Sequence, residues 1–262
     1  MNSLKSRHIF FPAGNHLLAC PMAKDNIYQD PQAPADFTFN SRVAEVFDDM
    51  LQRSVPCYHQ VIDMVATLLA RFVQPGDRIY DLGCSTGTTL LELSRRMATG
   101  RLEFVGIDNS AAMIDKATLK AEMFAKQDAI RFIHGDIAAV ELEPCGACIL
   151  NYTLQFIRPL ARQRFLTRLH QALKPGGVLI ISEKIICHDL EINRAFIDFY
   201  HDFKRSQGYT ETEIARKRAA LENILIPFSI RENGELLKKS GFSQVETFFQ
   251  WFNFASLVAI KD

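Results

Sequence analysis

Apolar positions along the chain recur with a helical period in some stretches and form short continuous runs in others. Between residues 41 and 72 they return every three or four positions, which predicts a helical arm interrupted at Pro56. Five short apolar runs then predict buried strands at 78–81, 102–108, 130–136, 147–151 and 178–183. Because helical spacing returns between these runs, we expect a doubly wound α/β sheet whose strands are mostly parallel.

The regular alternation stops after the fifth predicted strand. Residues from about 187 to 227 have helical spacing without a strand, which predicts a helical insertion of a length that often forms a lid or an interface. A helix at 230–240 and strands at about 245–252 and 256–261 complete a seven-stranded sheet. We therefore expect residues 36–262 to form a single domain.

Residues 1–35 are expected to form a disordered extension. Lys5 precedes an apolar stretch as in an export signal, but Pro12 interrupts that stretch, so we do not expect export. Translation from Met22 is an alternative, and residues 1–21 would then be an upstream extension. No apolar run approaches the ~20 residues that span a membrane, so we expect a cytoplasmic protein.

The charge balance and the cysteines restrict the classes of function. Thirty basic and thirty acidic residues give a net charge of 0, so the sequence does not predict a broad nucleic-acid-binding face. Two of the six cysteines, Cys145 and Cys148, have C-x-x-C spacing, but no second pair or nearby histidine completes a zinc site. We therefore expect no metal and mostly buried, reduced thiols.

The first predicted strand ends at Asp81 and leads into a loop with glycines at Gly83 and Gly87. A loop of this kind exposes backbone amides between a strand and a helix, as in nucleoside-binding α/β domains. No lysine follows the glycines, so the loop is not a phosphate-binding P-loop. The acidic Asp81 disfavours a pyrophosphate and favours a cationic ligand. S-adenosylmethionine, with its ammonium and sulfonium groups, has that chemistry.

Polar side chains also end the next predicted strands. The Asp108 carboxylate is placed to accept bonds from both ribose hydroxyls. Asp136 is placed to meet an adenine amino group, while Ile137 packs on the ring. Asn151 ends the fourth strand, where its alternative role is to cap the following turn. Ligands bind at such strand ends in open α/β sheets, so we expect these residues to form one site.

Four motifs resemble those of the class I S-adenosylmethionine-dependent methyltransferases. They are Asp-Leu-Gly-Cys-Ser-Thr-Gly, Gly-Ile-Asp-Asn-Ser, Gly-Asp-Ile and Leu-Lys-Pro-Gly-Gly, and this resemblance covers roughly residues 77–185. It implies a Rossmann-like methyltransferase sheet. The chain departs from the pattern at Ser85, where many methyltransferases carry a glycine.

A narrower resemblance extends over most of the chain from Met22 onward. The segments Val-Ala-Glu-Val-Phe, Gln-Arg-Ser-Val-Pro, Asn-Tyr-Thr-Leu-Gln-Phe, Asp-Phe-Lys-Arg and Gln-Trp-Phe-Asn-Phe are similar to those of the carboxy-S-adenosyl-L-methionine synthases. The resemblance implies that a carboxyl group is transferred from prephenate to the methyl group of S-adenosylmethionine. It also implies a homodimer and a partner enzyme that uses the product to make 5-oxyacetyl uridine at the tRNA wobble position.

The same resemblance implies a set of site residues. Arg218 and Tyr58 are expected to be catalytic. The S-adenosylmethionine contacts are expected at Tyr58, Gly83, Cys84, Ser85, Asp108, Asn109, Asp136, Ile137, Asn151 and Arg218.

Elementary electrostatics supports a role for Arg218. An arginine beside a cationic methyl donor is unfavourable, but the carboxylate of the product reverses this because a guanidinium binds a carboxylate bidentately. The alternative for Arg218 is that it is a solvated charge on the insertion. The alternative for Tyr58 is that it serves only in ordinary helix packing. No histidine or carboxylate stands out as a base, so we expect the hydroxide lost from prephenate to deprotonate the sulfonium methyl. The resulting ylide would need a dry site.

Two other functions share these motifs. One is a conventional S-adenosylmethionine-dependent methyltransferase acting on tRNA or a small molecule. Against it, the fourth strand leads into Asn151-Tyr152-Thr153-Leu154 and not into the N/D-P-P-Y type that holds a flipped base. The other is a non-catalytic nucleoside-binding module, against which the acidic and glycine residues of the loop argue.

Overall fold

The computed structural model describes residues 23–30, 32, 36–97 and 101–262. Its helices are α1 (Ser41–Ser54), α2 (Tyr58–Phe72), α3 (Thr88–Arg96), α4 (Ala111–Met123), α5 (Pro159–Ala172), α6 (Leu190–Ser206), α7 (Glu211–Leu221) and α8 (Ile230–Lys239). Its strands are β1 (Arg78–Leu82), β2 (Glu103–Asp108), β3 (Ile130–His134), β4 (Cys145–Asn151), β5 (Leu173–Lys184), β6 (Gln244–Trp251) and β7 (Phe254–Ile260).

The strands form one sheet in the order β3-β2-β1-β4-β5-β7-β6. β1 to β5 run parallel, whereas β7 runs antiparallel to both β5 and β6. The predicted fold class is therefore confirmed, including the helical arm before the sheet and the helices after β5. Because the winding reverses between β1 and β4, their carboxyl ends border the crevice in which such sheets bind ligands.

Two apolar clusters cover the two faces of the sheet. Side chains alternate along each strand, so Ile79 belongs to one cluster and Tyr80 to the other. The helical arm covers the Ile79 face with Val61, Val65 and Leu69 of α2, each at most 2% exposed. The arm is thus part of the core and not a separate unit.

Strand β5 begins earlier than the sequence predicted. We expected the fifth strand to begin at Val178, but Leu173 already pairs with Cys145 of β4. The pairing then shifts register, and Ala147 faces Val178. The intervening glycines bond to the last strand, since Gly176 donates to the Lys261 carbonyl at 2.8 Å. Residues 174–177 therefore form an irregularity within a longer strand.

Of the extension expected over residues 1–35, residues 1–22, 31 and 33–35 lie outside the described residues, whereas residues 23–30 pack against the domain. Ile27 and Tyr28 are at most 4% exposed and pack in an apolar cluster with α1. The carboxylate of Asp25 accepts a bond from the Tyr209 hydroxyl at 2.6 Å and lies 3.7 Å from Nζ of Lys217. Residues 23–30, called the strap below, therefore join α1 to the region around α7.

Candidate active site

A cavity of about 730 Å³ opens at the carboxyl ends of the parallel strands. It is within the size range of small-molecule sites. All ten residues that the sequence predicted for the site line it: Tyr58, Gly83, Cys84, Ser85, Asp108, Asn109, Asp136, Ile137, Asn151 and Arg218. Residues from the helical arm, the strand ends and the insertion therefore meet around one space.

The loop between β1 and α3 requires glycine at Gly83. Its φ is +80°, and a Cβ there would lie 2.5 Å from Cγ2 of Thr153. The N–H groups of Gly83 and Cys84 donate to the carbonyl of Ile107 at 2.8 and 3.1 Å. The loop is therefore tied to β2 and has no room for a side chain at this point.

Ser85 replaces the glycine of many methyltransferases and keeps the glycine-like conformation. Its φ is +48°, which costs a residue with a Cβ roughly 1–2 kcal/mol. Its N–H donates to Oδ2 of Asp108 at 2.9 Å. A charge-assisted bond of this kind offsets the strain, so the serine is compatible with the loop.

Asp108 both holds the loop and faces the cavity. Its two oxygens accept bonds from the N–H groups of Ser85 and Ser110, each at 2.9 Å. Each oxygen keeps a further lone pair for a ligand hydroxyl. Burial raises the pKa of Asp108, although the bonds from Ser110 and Ser85 oppose that rise. The carboxylate is thus placed as a vicinal diol would require.

Asp81 carries a buried carboxylate that no described residue satisfies. The residue is 1% exposed, and neither carboxylate oxygen has a hydrogen-bond partner in the described part of the chain. Burial, and then the nearby Asp108, raise the pKa of Asp81 to about 8. Because orphaned buried carboxylates are costly, this position fits a cationic ligand group.

Asn151 has one satisfied and one unsatisfied end. Its Nδ2 donates to the Thr89 hydroxyl at 3.1 Å, and its buried Oδ1 has no described partner. A cap of the following turn would use that oxygen as an acceptor, so the structure does not support the capping alternative. The oxygen is available to a ligand donor.

Two further predicted residues lie where β3 ends. Asp136 is exposed, and its Oδ1 accepts the Ala138 N–H at 2.8 Å. Ile137 is half-buried and packs on the apolar cluster. On the β2 side, the carbonyl of the exposed Asn109 lies 3.1 Å from Nε2 of His134. This end of the cavity thus presents polar groups beside an apolar side chain.

Tyr58 begins α2 and is 8% exposed. It packs in a small apolar cluster, with its ring centroid 6.5 Å from that of Tyr152. Burial, followed by Asp48 and other nearby carboxylates, raises its pKa far above the usual value. The residue therefore packs in the core and lines the cavity at the same time.

The insertion and the end of β5 add cationic side chains to the cavity lining. These are Lys184, Lys204, Lys217 and Arg218, together with His201. Arg218 is exposed, whereas Lys204 is 5% exposed. Lys217 is paired with Asp25 and donates to the Ser54 hydroxyl at 3.2 Å. One side of the cavity is thus acidic and another is basic.

Known proteins with similar sequences identify the family. A family model described as a methyltransferase domain matches residues 79–177. A carboxy-S-adenosyl-L-methionine synthase of Desulfotalea psychrophila is 56% identical over 238 residues, covering 91% of this chain and 97% of that protein. The chain belongs to the carboxy-S-adenosyl-L-methionine synthase family. The carboxy-S-adenosyl-L-methionine synthase of Methylococcus capsulatus is 43% identical over 242 residues, which are 92% of this chain and 100% of that protein. The chain is therefore an enzyme of this kind.

Solved structures support the fold of this synthase family member. An O-methyltransferase family protein of Burkholderia thailandensis has a TM-score of 0.62 at 18% identity, over 85% of this chain and 60% of that one. Human N-acetylserotonin methyltransferase, solved with S-adenosylmethionine, has a TM-score of 0.58 at 15% identity, over 84% and 55%. At such identities the likeness concerns the Rossmann-like fold alone.

In this synthase family member, a buried ion pair fixes α1 beside the glycine loop. Asp48 of α1 accepts bonds from the hydroxyls of Thr86 and Thr88 at 2.6 and 2.8 Å, and from Nζ of Lys120 at 2.7 Å. Phe47, one residue before Asp48, lines the cavity. The arm therefore covers the cavity in a position set by the loop itself.

Sequence reasoning missed several residues that line the cavity, among them Lys184, Tyr200, Lys204 and Tyr152. Lys184 could have been suspected only from its position at a strand end, and Lys204 only from the Asp-Phe-Lys-Arg segment, whereas no sequence signal indicated Tyr200. Tyr152 follows Asn151 directly and has a φ of +63°, which is uncommon for a residue with a Cβ. Nothing in the sequence indicated that conformation.

Two further features concern the described part of the chain, namely its groups of metal-ligating side chains and its apolar helices. Within it, no group of three or more His, Cys, Asp or Glu side chains is placed to hold a metal ion. Cys145 and Cys148 are buried, unbridged thiols with sulfurs 3.6 Å apart. No helix of the described residues is long and apolar enough to cross a membrane.

Proposed function

We propose that this enzyme transfers a carboxyl group from prephenate to the methyl group of S-adenosylmethionine. The products are carboxy-S-adenosyl-L-methionine, phenylpyruvate and water. The observation that carries the proposal is the orphaned carboxylate of Asp81 in a cavity that also contains basic side chains. An acidic side fits a sulfonium amino acid, and a basic side fits an anionic carboxyl donor. The names of the relatives support the same reaction.

In the proposed binding mode, each predicted residue has a separate task. The Asp81 carboxylate receives the ammonium group, and Asp108 receives the ribose hydroxyls. Asp136 and Ile137 contact the adenine, and Asn151 accepts a hydrogen bond through its free Oδ1. Gly83, Cys84 and Ser85 bring the loop backbone close to the ligand, with Asn109 beside the ribose, and Tyr58 covers the methyl group.

The proposed reaction balances without an added base. Prephenate loses carbon dioxide and hydroxide as its ring becomes aromatic, which leaves phenylpyruvate. The hydroxide removes a proton from the sulfonium methyl and becomes water, and the methyl carbon then forms a bond to the carbon dioxide. Arg218 binds the transferred carboxyl group, because a guanidinium compensates a new carboxylate beside the sulfonium. The side chains around Tyr58 exclude water that would otherwise protonate the carbanion.

The proposed assembly is a homodimer. Phe199 and Phe252 are 43% and 38% exposed, and their ring centroids are 4.8 Å apart. Exposed apolar patches of this kind often mark protein interfaces. A second copy would also cover the exposed Arg218.

We further propose that the product serves a tRNA carboxymethyltransferase that makes 5-oxyacetyl uridine, and that this chain does not itself bind nucleic acid.

Mass spectrometry of the reaction products tests the proposed function. Wild-type protein is incubated with S-adenosylmethionine and prephenate, and the expected product is S-adenosylmethionine that has gained a carboxylate. Arg218→Ala should lower its formation by at least about tenfold, since a charge-assisted contact is lost. Arg194→Ala, an exposed arginine of α6, is the matched control and should retain activity. Methylated RNA without the carboxylated species would instead indicate a conventional methyltransferase, and ligand binding without turnover a non-catalytic module.

A further inference from the structure

Lys184 and Lys204 lie on two different elements but face the same aromatic ring. Lys184 is the last residue of β5, and its Nζ lies 5.0 Å from the centroid of the Tyr200 ring. Nζ of Lys204, from α6, lies 5.1 Å from the same centroid. Both side chains line the cavity. The structure thus brings two ammonium groups together around Tyr200.

Neither ammonium group has an acidic partner in the described part of the chain. No carboxylate there lies within 4.0 Å of Nζ of Lys184 or Lys204, whereas the neighbouring Lys217 is paired with Asp25. Burial, followed by Arg218, lowers the pKa of Lys184 to about 8. Burial, followed by Lys217 and Lys184, lowers the pKa of Lys204 to about 7, although the more distant Asp25 partly opposes this fall. Cations with little access to water and no acidic partner are unfavourable, and an anion bound beside them would reduce that cost.

Tyr200 holds this arrangement in place. Its hydroxyl donates to the carbonyl of Ser54 on α1 at 2.9 Å, and its ring packs on that of Phe254 with centroids 5.0 Å apart. The backbone N–H of Lys184 donates to Oε1 of Gln155 at 3.0 Å. Lys184 is therefore anchored through its backbone beside a fixed Tyr200 ring, and the charged ends of both lysines line the cavity.

We propose that Lys184 and Lys204 bind the carboxylate of the donor that is not transferred, while Arg218 faces the carboxyl group that is. The assignment rests on the proposed function, because it deepens the site of the same reaction. A dicarboxylate donor then bridges the two lysines and Arg218, with its reacting carboxyl group directed to the methyl group. Monocarboxylates that lack the anchoring group would bind without being oriented. The lysines are thus specificity-determining residues that select a dicarboxylate.

The product phenylpyruvate provides a selective test, because it retains only the anchoring carboxylate. In Lys184→Met and Lys204→Met, we expect phenylpyruvate to bind at least about tenfold more weakly, and KM for prephenate to rise similarly. S-adenosylmethionine affinity should stay within about twofold of wild type. Arg218→Ala should leave phenylpyruvate affinity unchanged. The matched control is Lys239→Met, an exposed lysine of α8.

The outcomes separate this assignment from the proposed function. Phenylpyruvate binding is measured calorimetrically without turnover, so absence of carboxylated product would refute the function and leave the binding comparison intact. Unchanged phenylpyruvate affinity in both methionine variants overturns the assignment, as does a loss of S-adenosylmethionine affinity equal to the loss for phenylpyruvate. Lys204→Arg keeps the charge and should restore phenylpyruvate binding to within a few-fold of wild type. It carries the test if the Lys204→Met protein does not fold.

Discussion

At the scale of single residues, the site depends on side chains whose charge or backbone conformation is unfavourable in a folded interior. Asp81 is the clearest case, because its carboxylate is buried without a described partner and its pKa is raised to about 8. Groups perturbed in this way are concentrated at functional sites. At neutral pH the carboxyl group of Asp81 is therefore mostly protonated in the free protein.

S-adenosylmethionine binding is therefore expected to release a proton from Asp81. A bound cation favours the ionised carboxylate, so affinity should rise with pH between about 6 and 7.5, by up to about tenfold per unit. Isothermal titration calorimetry in two buffers with different ionisation enthalpies measures the proton count. Asp81→Asn is the comparison, and it should bind more weakly with little pH dependence. Equal pH dependence in both proteins would contradict the role of Asp81.

Gly83→Ala is expected to destabilise the protein by about 1–3 kcal/mol. The added Cβ meets Thr153 at 2.5 Å, and the φ of +80° is unfavourable for alanine. Gly234→Ala is the matched control, because nothing lies within 4 Å of its added Cβ and the residue is in α8. That control should stabilise by about 0.5–1 kcal/mol. Urea unfolding measures both, and equal effects in the two variants would refute the argument.

At the scale of elements, α1 is held at the glycine loop by charge as well as by apolar packing. Burial alone would raise the pKa of Asp48, but Lys120 and the hydroxyls of Thr86 and Thr88 outweigh it and lower the pKa. The ionised carboxylate thus stabilises the folded state at neutral pH. That contribution disappears as the pH falls through the lowered pKa of the folded state.

Asp48→Asn is expected to lower the free energy of unfolding at pH 7 by about 2–3 kcal/mol, because Lys120 loses its buried carboxylate partner. The difference from wild type should shrink in acid, where Asp48 becomes protonated. Urea unfolding at pH 7 and at about pH 3 measures both effects, because the lowered pKa keeps Asp48 ionised in the folded state near pH 4. Asp115→Asn, on the exposed side of α4, should change neither. A constant difference at the two pH values would mean that the charge of Asp48 is not responsible.

At the scale of the whole molecule, the sheet and the insertion supply opposite charges to one cavity. The acidic side could be predicted from the sequence, because Asp81, Asp108 and Asp136 lie at or near the carboxyl ends of recognisable strands, and such ends converge. The basic side could not. Lys184 and Lys204 meet only because α6 packs beside the end of β5, and no periodicity of the chain specifies that packing. The packing of the strap could not be predicted for the same reason, since its partners lie far along the sequence.

These opposite charges are expected to couple the two substrates. The cationic sulfonium of S-adenosylmethionine should raise the affinity for phenylpyruvate more than the neutral thioether of S-adenosylhomocysteine does. A difference of about fivefold or more is expected, within the usual range of coupling between ligand sites. Calorimetric titration of phenylpyruvate into each saturated complex measures it, and raised salt should reduce it. Equal affinities would show that the sulfonium charge does not reach the donor site.

The contact between Asp25 and Tyr209 also has a consequence for biosynthesis. These residues are 184 positions apart, yet they share a buried hydrogen bond. A chain that leaves the ribosome from its N-terminus exposes Asp25 long before Tyr209 and Lys217 have been translated. Since such distant contacts form only after the intervening chain is available, the strap joins the fold late. The parallel strands can assemble during translation, but the enclosure around the reacting groups is completed only after most of the polypeptide has emerged.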